Sequence, residues 1–307
     1  MKVLVAGATG VIGRQLVPLL EAVGHDVVAL VRPGGEDRHA GTQVAVADAL
    51  DGPAVRRAVQ QAAPDAVVDL LTAIPRTIDP RHLARDMAPT NRLRTRGLAN
   101  LIAAAPGARL VVESLAYAYR PTRGRPVDED QPLWTDGPRQ FRPVAAALVE
   151  HERLAREAGG AVLRFGHLYG PGTSYAADGS FIDRLRAGKV PIVGAGASVF
   201  SFTHTHDAAT AVVAALDKPV TGALNIVDDD PAPAHEWMPE LARIVGAPTP
   251  KRVPTVLARL AVGGWGVAFM TAVAGADNHR ARMHLDWRPG YPSWRDGFAA
   301  ELRTAAG

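Results

Sequence analysis

Lys2-Val3-Leu4-Val5-Ala6-Gly7-Ala8-Thr9-Gly10-Val11-Ile12-Gly13 opens the chain, and its reading decides the fold. Lys2 to Ala6 is an apolar run of strand length. Three glycines at three-residue spacing follow, and Val11 to Val23 carries a helical pattern before a second strand-like run at Val27 to Val31. Glycine reaches backbone angles closed to other residues and lets a phosphate approach bare amides, while the N-terminus of the following helix offers unpaired N–H donors and a positive dipole end. A strand, a glycine turn and a helix therefore predict a dinucleotide pyrophosphate held by Gly7, Thr9, Gly10, Val11, Ile12 and Gly13.

The next strand ends at Arg32, beside the expected adenosine ribose. An acidic residue there accepts hydrogen bonds from a free 2′-hydroxyl, whereas a cation pairs with a 2′-phosphate, so Arg32 favours NADP over NAD, with Arg38 and His39 as helpers. Further strands are read at Gln43 to Ala47, Asp65 to Thr72, Arg109 to Glu113 and Ala161 to Phe165, and helices at Pro53 to Ala62, Arg92 to Ala104 and Ala145 to Glu157. Strands alternating with helices at this spacing predict an α/β, Rossmann-type doubly wound parallel sheet. Leu71, Thr72 and Ala73, at the end of the fourth strand, fall on the edge where such sheets bind ligands.

Past Gly166 glycine and proline come at shorter intervals. We read residues 1–166 as the dinucleotide-binding domain and 167–307 mainly as a smaller C-terminal substrate lobe, interleaved with the sheet. Its helices are expected at Phe181 to Arg186, Ala208 to Asp217, Ala234 to Val245, Val256 to Ala274 and Arg295 to Thr304, with strands near Pro191 to Val193 and Ala223 to Ile226.

The bulk numbers narrow the function. A chain of 307 residues that is 47% hydrophobic can bury a large core. A net charge of +3, with basic and acidic residues interspersed, does not point to nucleic acid. Cysteine is absent, which removes disulfides and thiolate chemistry. Lys2 runs straight into the first strand, so no secretory leader is expected and the cytoplasm is the expected compartment. Leu260 to Ala276 is apolar but short of the ~20 residues a bilayer requires, and reads as a buried or partner-facing helix, with a homodimer as one use for it.

Several segments carry a resemblance: Gly7 to Gly13, Asp48, Asn91 with Gly97 and Asn100, Val127-Asp128-Glu129-Asp130, Leu163 to Gly172, and Phe202 to Asp207. Over nearly its whole length the chain resembles the extended short-chain dehydrogenases, the NAD-dependent epimerase/dehydratase family. The resemblance implies a nicotinamide cofactor contacted by Asp48, Ala49 and Asn91. It does not carry the catalytic pattern. The family uses a Tyr with a Lys four residues on, but none of the 5 tyrosines here has that partner, and the only lysines are Lys2, Lys189, Lys218 and Lys251. Ungapped, Leu115 stands at the family's Ser position, and a one-residue shift restores it as Ser114. The Arg that clamps a nucleotide-sugar diphosphate is replaced by Phe200, a ring that covers an apolar molecule.

His167, Tyr117, Ser114, Tyr175 and Glu113 are the remaining catalytic candidates, with Phe200 and Tyr169 toward the substrate. His204, His206 and Asp207 read as structural, so no metal is expected. The function these residues support is an NADP-dependent oxidoreductase or epimerase acting on a small, apolar carbonyl or carbinol compound. Alternatives are a non-redox isomerase, lyase or cyclase with a structural dinucleotide, and a catalytically silent protein that senses the NADP/NADPH ratio.

Overall fold

Most apolar runs of the N-terminal half lie between two others in one sheet, and the chain returns to the same sheet direction mainly through helices. The computed structural model describes residues 1–35, 42–122 and 126–303, so Arg38 and His39 lie outside the described residues. Its strands are β1 (Lys2–Ala6), β2 (Asp26–Val31), β3 (Gln43–Val46), β4 (Ala66–Asp69), β5 (Arg109–Leu115) and β6 (Ala161–Phe165), then the short β7 (His167–Tyr169), β8 (Ile192–Val193), β9 (Val199–Phe200) and β10 (Phe202–His204), and β11 (Gly222–Ile226). Seven of them form one sheet in the order β11-β6-β5-β4-β1-β2-β3, every neighbouring pair parallel. The chain runs outward from β1 to β3 and restarts at β4 on the other side. The topological switch point therefore lies between β1 and β4, where open α/β sheets bind ligands.

The helices are α1 (Gly13–Ala22), α2 (Gly52–Ala62), α3 (Leu83–Asp86), α4 (Ala88–Arg92), α5 (Leu98–Ala104), α6 (Arg142–Glu157), α7 (Ser180–Arg186), α8 (Thr205–Asp217), α9 (Ala234–Ile244), α10 (Thr255–Thr271), α11 (His279–Leu285) and α12 (Trp294–Arg303), of which α7, α9, α10 and α12 contribute to a separate core in the lobe. Leu16 and Leu20 of α1 pack with α8 and α11 on one face of the sheet, and Val55, Leu98 and Leu101 of α2 and α5 pack on the other. Each such leucine contributes about 1.5–3 kcal/mol relative to an exposed one.

Four expectations are corrected. The strand read as Asp65 to Thr72 stops at Asp69, because the Asp69 carboxylate accepts from the Leu71 amide at 3.0 Å and turns the chain out of the sheet. The helix read from Arg92 is already helical at Ala88 and passes through a π turn at Leu93–Gly97, an insertion that periodicity does not register. The strand at Ala223 to Ile226, assigned to the lobe, is the β11 edge of the main sheet. The helix read as Val256 to Ala274 breaks at Gly263, whose φ of 70° and ψ of −175° lie outside the helical region. Among the described residues no helix is long and apolar enough to cross a membrane.

Candidate cofactor and substrate site

The glycine turn is closed by its own backbone. Gly7 has φ +94°, and a Cβ there would lie 2.7 Å from the Leu70 carbonyl oxygen, in the loop that leaves β4. A Cβ at Gly13 would stand 2.4 Å from the Gly7 oxygen, and the Gly10 amide donates to that same oxygen at 2.9 Å. Glycine is thus required where β1 and β4 part, which is the switch point. The α1 helix starts there with no side-chain cap and no acidic residue in its first turn, so its positive dipole end faces the turn unopposed. Thr9 and Val11 are half-buried and Ile12 is buried beneath them. A Cβ on Gly172 would lie 3.5 Å from Val11, so the loop after β7 closes on the turn.

The residues along the strand ends continue this cradle. Arg32 is exposed at the end of β2. Asp48 is exposed and accepts from the Leu50 amide at 2.9 Å, while the buried Ala49 is held through its carbonyl by Asn100 Nδ2 at 2.8 Å. Leu71 is half-buried, Thr72 and Ala73 are exposed, and the Ala73 amide donates to Thr90 Oγ1 at 3.0 Å. Asn91 Nδ2 donates to the Pro143 carbonyl in the first turn of α6 at 3.3 Å, and its buried Oδ1 has no hydrogen-bond partner. A cradle that a methyl group would fill, an uncapped helix start and an orphaned acceptor fit a dinucleotide along this edge.

Beneath the ends of β4 and β5 lies a cluster of charged side chains. Arg94, in the π turn, donates from Nε and one Nη to Glu113 at 2.8 and 3.2 Å, with both side chains buried. His151 of α6 faces two carbonyl oxygens, that of Arg94 through Nδ1 at 2.7 Å and that of Glu113 through Nε2 at 2.9 Å. Burial raises the Glu113 carboxyl, but the charge and hydrogen bonds of Arg94 pull it further down, below the ordinary range. Asp69 has no such partner, and burial pushes it up to about 6. Glu113 is therefore an ion-pair partner at the strand end and not an available base. Ser114 is withdrawn as well: it is fully buried and donates to Glu152 at 2.7 Å, in a network where Arg164 donates to Glu152 at 2.6 Å.

Beyond β6 the chemistry changes. A Cβ on Gly166 would sit 2.5 Å from the Ser201 oxygen, and this close approach lets the chain leave the main sheet so that β7 pairs with β10. His167 is thereby set among rings, with centroid distances of 4.2 Å to Tyr117, 4.2 Å to Phe200 and 5.4 Å to Phe269. Both of its ring nitrogens are buried without partners. Burial lowers its pKa to about 3 and raises that of Tyr117 to about 12. At neutral pH this chamber holds an uncharged imidazole and a protonated phenol, neither of them a ready acid. Phe269 and Trp265 reach it from the part of α10 beyond Gly263, and Trp265 stacks on Phe141 at 4.1 Å.

The structure brings Tyr117, His167 and Phe200 together and leaves other candidates elsewhere. Tyr175 packs against Phe181, Trp237 and Phe298 in the lobe core, with its phenol pushed up by burial. Tyr169 is fully buried against Phe298 and His204 and has no exposure with which to meet a substrate. Arg94, His151 and Phe269 were missed in the sequence. Arg94 is the middle one of three arginines in Arg92-Leu93-Arg94-Thr95-Arg96, and the sequence does not mark which of them is buried. Among the described residues no group of three metal-ligating side chains occurs.

Comparison with known proteins agrees with this geometry. The model of the NAD dependent epimerase/dehydratase family matches residues 3–227. A Streptomyces 3-diazoavenalumate denitrifying reductase is 48% identical over 98% of this chain and 100% of its own length. The epimerase family protein SDR39U1 of Bos taurus is 31% identical over 93% of the chain and 90% of its own. The crystal structure of human SDR39U1 (isoform 2) with NADPH superposes with a TM-score of 0.75 at 21% identity, covering 99% of both chains. The strand order, the glycine turn at the switch point and these matches together make the chain a member of the NAD-dependent epimerase/dehydratase family, with a nicotinamide dinucleotide as its cofactor.

Proposed function

We propose that this protein is an NADPH-dependent reductase that replaces the diazo group of a planar aromatic compound by hydrogen. The observation that carries the reading is a buried chamber that offers no ready proton. His167, lowered to about 3, is neutral, and Tyr117, raised to about 12, holds its proton. Reduction of a carbonyl needs a proton donor near the oxygen. Loss of dinitrogen does not: when bound, the reduced cofactor supplies a hydride to the carbon bearing the diazonium, so that C–H forms, C–N breaks and N₂ leaves with no proton taken up. The relative that is 48% identical over its full length is named for denitrifying a diazo compound.

The side chains suit that substrate. Tyr117, Phe200 and Phe269 present ring faces and edges around His167, and ring faces attract a planar cation. Burial keeps His167 uncharged, so it does not repel a cationic group, and its unpartnered nitrogens are available to the ligand. Apolar walls exclude the water that would compete for the electrophilic carbon. Arg32, exposed at the end of β2, pairs with the 2′-phosphate and selects NADPH.

The test supplies NADPH deuterated at the transferred position together with a hydroxyaryl diazonium carboxylate. Deuterium at the carbon that lost nitrogen, with one N₂ evolved per NADPH oxidised, is expected. Tyr117→Phe is expected to keep turnover within about threefold, since its proton is not used. Failure to transfer deuterium, or loss of turnover in Tyr117→Phe by the 10²-fold or more typical of a removed general acid, overturns the reading.

A further inference from the structure

Two polar atoms at the β4–β5 end of the crevice are buried and unpartnered, Asn91 Oδ1 and Arg94 Nη1. One is an acceptor and the other a donor, and they sit three residues apart where α4 passes into the π turn. Their remaining polar atoms are committed. Asn91 Nδ2 is held by the Pro143 carbonyl at 3.3 Å, and Arg94 Nε and its other Nη by Glu113 at 2.8 and 3.2 Å. His151 Nδ1 fixes the Arg94 backbone carbonyl at 2.7 Å. The two atoms are thus rigidly placed and left without partners, and buried polar groups are rarely left so in native proteins.

We propose that Arg94 Nη1 and Asn91 Oδ1 bind the vicinal diol of the ribose that carries the nicotinamide. This rests on the dinucleotide reading of the crevice but not on the diazo substrate. Each hydroxyl of a diol donates and accepts, so a fixed donor and a fixed acceptor three residues apart on one helical run are its complement. Position selects which ribose. Arg32 and Asp48 stand at the ends of β2 and β3, and the glycine turn follows β1. Along the sheet the next group beyond the pyrophosphate reaches the ends of β4 and β5, where Asp69 and Glu113 mark the level of Arg94. The chamber around Tyr117 lies beyond, and Arg94 acts electrostatically on the Tyr117 phenol. Lys2 begins β1 at the opposite end of the strand, so its ammonium does not serve this crevice.

The experiment compares, by calorimetry, 2′-phosphorylated ADP-ribose with 2′-phosphorylated ADP, which lacks that ribose. The wild type should prefer the ribose-bearing ligand by about tenfold or more, as expected for hydrogen bonds to a charged donor. Arg94→Lys retains a cation for Glu113 but loses Nη1, and Asn91→Leu keeps the shape and loses Oδ1. Each should cut the preference to below about threefold while leaving affinity for 2′-phosphorylated ADP unchanged, which also reports an intact fold. Preference retained in both variants, no preference in the wild type, or binding of neither ligand overturns the proposal. Loss of the preference in a protein that releases no N₂ breaks the proposed reaction and leaves the diol contact standing; N₂ release with the preference retained does the reverse.

Discussion

The floor of the crevice under β4 and β5 and the chamber beyond β6 each hold buried titratable groups, yet they are built on opposite physics. The floor gathers Asp69, Arg94, Glu113 and His151 and answers charge with charge. The chamber surrounds His167 with the rings of Tyr117, Phe200 and Phe269 and gives it no counter-ion. Burial acts on both, and the partners decide the outcome: Glu113 stays ionised beside Arg94, whereas His167, with no counter-ion, is held neutral.

Breaking the floor should have the largest effect. Arg94→Met leaves Glu113 charged and unpaired in the interior, a loss of about 3–5 kcal/mol in urea unfolding, and adding Glu113→Leu should recover most of it. The chamber should respond to acid instead. The folded pKa of His167, about 3, lies below its ordinary 6.5, so its contribution to stability is complete above pH 6.5 and is lost as the pH falls. His167→Phe should remove about 3 kcal/mol of acid sensitivity between pH 6.5 and 4, read as the difference in unfolding midpoints.

Asp69 should move the other way. Its folded pKa of about 6 lies above the ordinary 3.8, so the stability it confers is present below 3.8 and lost as the pH rises to about 6. Asp69→Asn keeps an oxygen for the Leu71 amide and should be more stable than wild type at pH 7 by about 2 kcal/mol, with the gain vanishing near pH 4. A gain that does not depend on pH would show that Asp69 is not the titrating group. The smallest effect should come at the glycine turn. Gly10→Ala places a methyl 3.1 Å from the Gly7 oxygen and should weaken dinucleotide binding by about tenfold, or about 1.4 kcal/mol in calorimetry, with little change in unfolding.

The parts legible in the sequence are those that local patterns encode. Gly7, Gly10 and Gly13 announce the turn by their spacing, since a Cβ at Gly7 or Gly13 would strike backbone, and the buried parallel strands read as apolar runs because both faces are covered. Tyr117 and His167 were legible as candidates from their places near strand ends, and Phe200 from standing where the resemblance puts an Arg. Ser114 and Glu113, side by side at a strand end, face opposite ways and neither is left free, while Tyr169 packs in the lobe core. Ser114 turns to Glu152 and Glu113 to Arg94, each pairing with a helix remote in sequence. The Leu260 to Ala276 stretch looked like one helix because hydropathy does not record a backbone angle; Gly263 breaks it, and Phe269 then roofs the chamber.

By itself the sequence determined a doubly wound sheet, a dinucleotide at the β1 turn, and the loss of the Tyr and Lys pair, since each depends on residue type at fixed spacing. Only the tertiary structure decided which charged groups are paired and which polar atoms are left without partners. Ionisation and hydrogen-bond satisfaction depend on distances of a few ångströms between residues far apart in the chain. Arg94 and Glu113, or His167 and Phe269, acquire their chemistry only when the fold brings them together.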